Sequence, residues 1–222
     1  VYFTFSLLTG VACIGSMANG VLVLPLLFVY SLFLKVSWRR SLLLFIFSVL
    51  CLSLYFYGYQ SSPGHGSLVA AIKTDFFGLF RYTAMYLGSP FARVVGVKSF
   101  EPVVEMLGFF VIFFTVYQLV NNFLKGKLES LNCALLIFVM YVIATAFVTA
   151  GGRLIFGLEQ ALSDRYTTPA IMAWSAVFLI LAQLTKNRKN LIVIGLAILL
   201  VFMLPYQIRA IKNKTSDLTE RS

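Results

Sequence analysis

Two arginines, Arg153 and Arg165, bracket a short charged interruption between long apolar runs, in company with Glu159, Gln160, Asp164 and Tyr166. Guanidinium forks grip phosphate oxygens bidentately, and a nearby carboxylate can orient or deprotonate a hydroxyl. The chemistry this set suits is capture of a phosphate by Arg153 and Arg165, with Gln160, Asp164 and Tyr166 beside it. The same residues also fit a plainer arrangement, in which Arg165 pairs with Asp164 or Glu159 or snorkels to headgroups. On sequence alone both readings stay open. Steps of four, three and four residues from Arg153 reach Gly157, Gln160 and Asp164, which predicts one short surface-lying helix with that polar face. Thr168 and Pro169 then read as the N-cap and first turn of the next helix.

A second group lies in the stretch 55–68, where Tyr57, Tyr59, Gln60 and His65 stand among turn-forming Gly and Pro. These residues could offer stacking faces and donors to a sugar or headgroup, and His65 could move a proton near neutral pH. Tyrosines at the end of a span equally form an interfacial belt. Farther on, Arg81, Arg93 and Lys98 could reach headgroups or a lipid-linked ligand, while Phe76, Phe77, Phe80 and Tyr86 sink into the interface.

Other chemistries find no footing. The chain has one histidine, and its cysteines, Cys13, Cys51 and Cys133, lie in apolar runs without CxxC spacing. No phosphate-cradling glycine loop and no GxSxG pattern occurs. No cofactor is evident, and a divalent cation stays open. The net charge of +10 is spread along connectors and forms no soluble basic face, so anionic lipid rather than nucleic acid is the expected partner.

The elements that must position these residues belong to a bilayer, because 60% of the chain is hydrophobic and 12% charged. A span needs about 20 mostly apolar residues, and such runs lie at about 3–34, 41–57, 103–124, 131–150, 166–184 and 191–208. All 18 Lys and Arg residues fall outside them. The short connectors 35–40, 125–130 and 185–190 carry eight bases against Glu129 alone, which places them in the cytoplasm and segments 58–102 and 151–165 outside. The stretch 76–95 would bury Arg81 if it crossed, so it reads as an interfacial or re-entrant element within about 68–97, with an ordinary seventh span as the alternative. The expected fold is thus all-α: a single polytopic transmembrane helix bundle over 1–208, with about six spans and one or two interfacial or re-entrant helices outside. Ala12, Ser16 and Gly20 predict a close-packing face on the first span, and Asn19-Gly20 with Pro25 marks a place where that span could loosen.

The run "SMANG" followed by Leu24-Pro25, then "YFYGYQSSPGH" and "GGRLIFGLEQALSDRYTTP", resembles large bacterial inner-membrane proteins similar in layout to GT-C glycosyltransferases, which use polyprenyl-phosphate sugars. The resemblance covers most of the chain. It implies a role in envelope polysaccharide or glycolipid assembly, with Arg153, Asp164, Arg165 and Tyr166 facing the donor phosphate of a polyprenyl-phosphate-linked sugar. GT-C enzymes carry their catalytic acid in an early outer loop, and the chain reads as a fragment that begins after such a loop and ends in a polar tail, 209–222. A polysaccharide polymerase, a transporter of lipid-linked sugars and a non-catalytic membrane subunit are the alternatives.

Overall fold

The computed structural model describes residues 2–16, 18–57, 64, 66–95, 101–125 and 129–184, and scattered positions beyond. The described residues form eight α-helices: α1 (Tyr2–Ser16), α2 (Val23–Phe33), α3 (Trp38–Phe56), α4 (Leu68–Thr74), α5 (Phe76–Val95), α6 (Glu101–Lys125), α7 (Ser130–Arg153) and α8 (Asp164–Leu184). Short 3-10 turns occupy Ala18–Leu22, Leu154–Phe156 and Leu158–Leu162. Four segments are long and apolar enough to cross a membrane: Trp38–Phe56, Glu101–Lys125, Ser130–Phe156 and Asp164–Leu184. Large apolar side chains such as Leu54, Met106, Phe113 and Leu124 stand exposed on them. Such surface is expensive in water and ordinary against lipid.

The expected first span, 3–34, is a helical hairpin instead. A straight helix would hold Gly10 about 21 Å from Leu24, yet a Cβ on Gly10 would strike the Leu24 side chain and touch Leu27. The reversal runs through Asn19 and Gly20, where a Cβ on Gly20 would collide with the Cys13 carbonyl. Pro25 falls in the first turn of α2, where its missing N–H costs little. Gly20 therefore lies in a different element from Ala12 and Ser16 and does not extend their face. Both ends of the hairpin return to one side, since Arg40 lies over the Phe3 ring at 5.8 Å. That side also gathers the start of α3, the end of α6 and the start of α7, through Phe33–Phe123 at 5.4 Å and the Tyr30 and Ser130 hydroxyls at 3.3 Å. It is the basic end of the bundle. The sixth expected span, 191–208, lies largely outside the described residues.

The deepest core surrounds α5. Leu79, Tyr82, Ala84, Leu87 and Ser89 are fully enclosed, and Tyr86 is 2% exposed. The sequence predicted an interfacial or re-entrant element over 76–95, with Phe76, Phe77, Phe80 and Tyr86 sinking into the interface. Tyr86 is enclosed by protein rather than set in the interface, while Phe76, Phe77 and Arg81 are exposed. Small residues explain the burial. A Cβ on Gly108 would land on the Ala84 backbone, and one on Gly88 would meet the Val104 carbonyl, so α5 and α6 run antiparallel with their backbones touching. Phe80 reaches Phe147 of α7 at 5.6 Å, and Leu87 accepts a hydrogen bond from the Trp174 indole of α8 at 2.9 Å. These contacts fall in the halves of α6, α7 and α8 remote from the basic end.

Candidate functional site

At that far end α7 stops, the chain turns twice, and α8 begins. The predicted single helix from Arg153 to Asp164 does not form, because Gly157 takes φ 91° and separates the two 3-10 turns. A left-handed residue at this point needs glycine. The following helix also starts earlier than Thr168 and Pro169 predicted. α8 begins at Asp164, with the Tyr166 N–H donating to the Ser163 carbonyl at 2.9 Å, and Pro169 sits inside it. An acidic first residue suits the positive end of the helix dipole.

These turns bring together several of the residues that the sequence singled out. Tyr166 is buried and stacks on Tyr86, with ring centroids 4.7 Å apart and planes at 29°. The Arg165 guanidinium lies over the Tyr166 ring at 5.4 Å, and its Nε donates to the Ser163 hydroxyl at 3.3 Å. Arg153, half-buried at the last turn of α7, lies over the Phe156 ring at 5.9 Å. Between them is Tyr82 of α5, fully buried, whose hydroxyl makes no hydrogen bond of good geometry. Its electrostatic neighbours are Tyr166, Arg153 and Arg165. Two cations lie near this buried hydroxyl, and the Tyr166 phenol is its nearest polar neighbour. Gln160 is half-buried in the second 3-10 turn, and Asp164 is exposed at the start of α8.

Beside this cluster a mostly apolar cavity of about 250 Å³ opens between α4 and the end of α7, lined by Ala70, Leu154 and Ile155, with Ser67, Thr74 and Asp75 as its polar side chains. Gly151 is required there, because a Cβ would strike Leu68, and the Gly66 N–H donates to the Gly152 carbonyl at 3.1 Å. Asp75 caps α5 by accepting from the Gly78 N–H at 2.8 Å. The sequence reading passed over both Tyr82 and Asp75. Asp75 announced itself as a cap residue three positions before Gly78, whereas nothing in the local sequence distinguishes Tyr82 from its neighbours.

The remaining candidates stand apart. Arg81 is engaged by Glu105 through Nε–Oε1 at 3.0 Å and Nη2–Oε2 at 3.2 Å, so its fork grips a carboxylate rather than joining the cluster. Tyr57 ends α3 and is 89% exposed. Tyr59, Gln60, His65 and Lys98 lie outside the described residues. Among the described residues no group of three His, Cys, Asp or Glu side chains could hold a metal ion. No family profile, no curated protein and no solved structure matches the chain.

Proposed function

We propose that the far end of the bundle binds the phosphate of a lipid-linked sugar, and that the chain is the membrane part of a GT-C-like glycosyltransferase of envelope polysaccharide or glycolipid assembly. The observation that carries the reading is that Arg153, Arg165 and Tyr166 lie near one another and near the buried Tyr82 at this end of the bundle, with Arg165 over the Tyr166 ring. Two guanidinium groups and a phenol at the rim of an apolar bundle offer what a polyprenyl phosphate presents: an anionic ester at interface depth and a tail that stays in lipid. With the basic connectors in the cytoplasm of a bacterial cell, this end faces outward across the inner membrane. Glu159 and Asp164 stand exposed on the same turns, and Asp75 lines the adjoining cavity.

The test is binding of polyprenyl phosphate by the purified chain in nanodiscs. Arg165→Lys keeps the charge but loses the fork, and is expected to weaken binding about tenfold or more. Unchanged affinity in Arg165→Lys and Arg153→Lys together would leave only the headgroup-anchoring role. Orientation is tested separately with an impermeant thiol reagent on intact cells, which should modify a cysteine at Ser163 and spare one at Asn187. Equal labelling refutes the sidedness.

One observation favours a second reading, a transporter of lipid-linked sugars. The α1–α2 hairpin breaks at Asn19-Gly20 inside an apolar segment, as discontinuous helices of transporters do. Transfer of sugar to an acceptor in a sealed vesicle distinguishes the enzyme; translocation without transfer distinguishes the transporter.

A further inference from the structure

A groove of about 420 Å³ runs between the α1–α2 hairpin and α7, lined by Leu26, Leu27, Tyr30, Ala134, Phe138 and Tyr141 among others. We infer that it holds an acyl chain of an anionic phospholipid whose headgroup rests on the basic end of the bundle. Depth is the first argument. On α7 the lining begins four residues past Ser130 and ends at Tyr141, which at 1.5 Å per residue is about 6 to 16 Å from the helix start. Half of a hydrocarbon core about 30 Å thick is about 15 Å, so the groove spans one leaflet and closes near the midplane. The hairpin makes this shape possible, because α2 returns to the face from which α1 set out and leaves a trough beside α7.

Charge is the second argument. At the mouth, Tyr30 meets the Ser130 hydroxyl at 3.3 Å. The same end of the bundle carries the exposed Lys35, Arg39, Arg40 and Lys125, against the acid Glu129. An apolar trough of one-leaflet depth under a net positive rim matches a lipid with one phosphate and an acyl tail. The site is at the opposite end from the phosphate cluster and does not depend on it.

The experiment uses the purified full chain in nanodiscs of phosphatidylcholine and phosphatidylglycerol, with lipid released into detergent and retained lipid counted by native mass spectrometry. Phosphatidylglycerol is expected to be retained in preference to phosphatidylcholine. Arg39→Gln and Arg40→Gln should each reduce that preference about fivefold, the factor that corresponds to one charge at a lipid surface. Ala134→Phe, which fills the trough, should abolish retention of either lipid. Should Ala134→Phe fail to accumulate, the two arginine variants, altered at exposed side chains, decide alone. Equal retention of the two lipids, or full retention in a folded Ala134→Phe variant, overturns the inference. So does a cross-link in membranes from a cysteine at position 134 to residues 191–208 or to a second copy, because protein would then fill the groove.

Discussion

Pro90 lies inside α5 and has no N–H to offer the Tyr86 carbonyl, the acceptor that precedes Leu87. In lipid or in a protein core such carbonyls need donors from elsewhere. Trp174 supplies one to Leu87 at 2.9 Å, while its ring packs edge-on to Phe91 at 4.8 Å and stacks on Phe110 at 6.0 Å. Trp174→Phe removes the donor and keeps most of the aromatic contact. A buried acceptor left unpaired costs about 1–3 kcal/mol, and membrane hydrogen bonds average about 0.6 with a maximum near 1.7. The hydrogen-bond part is therefore about 1–1.5 kcal/mol, and lost ring area brings the total to about 2. For a chain of this length that corresponds to a fall in Tm of about 4–8 °C.

Stability alone does not isolate the bond, so the decisive measurement is a double-mutant cycle with Pro90→Ala. Alanine restores an N–H and relaxes the turn, which makes the indole donor less necessary. Thermal unfolding in detergent, followed by near-UV circular dichroism, should show Trp174→Phe costing about 1 kcal/mol less in the Pro90→Ala background than in the wild type. If the two costs agree within about 0.3 kcal/mol, Trp174 acts through packing only, and the account of Pro90 is refuted.

Gly108→Ala should separate α5 from α6, because the new Cβ meets the Ala84 backbone rather than a side chain that can move. A loss of about 1–3 kcal/mol is expected, and an unfolding midpoint equal to that of the wild type would contradict the close crossing. Cysteines placed at Phe3 and Arg40 should cross-link readily within one chain, since Arg40 lies over the Phe3 ring. A straight span over 3–34 would set its ends about 46 Å apart and give no cross-link.

The four long spans were legible because lipid selects on length and apolarity alone, and the runs 41–57, 103–124, 131–150 and 166–184 each lie within a few residues of a helix. The hairpin was not. Hydropathy cannot distinguish a chain that crosses from one that turns back at Asn19-Gly20, since both legs are equally apolar. Small residues spaced by four appear both at Ala12, Ser16 and Gly20 and at Ala84 and Gly88, yet the first set is split by the turn while the second lies on one helix and packs against α6. The difference lies outside the motif, in Gly108 and Val104 across the contact. α5 reverses the usual inference altogether. Arg81 inside an apolar run argued against a crossing and suggested an interfacial or re-entrant element. Protein rather than lipid surrounds most of it, so polar and small side chains mark the contact with neighbouring helices. The same reasoning bears on the candidate site. Arg153, Arg165 and Tyr166 could be picked out as charge and aromatic character at the edge of apolar runs. Tyr82 could not, because its place beside them depends on the α5–α8 packing that Trp174 and Leu87 fix in register. A change at Trp174 should therefore disturb the far-end cluster as well as stability, and Arg165-dependent binding of polyprenyl phosphate should weaken in Trp174→Phe even at temperatures where the variant stays folded.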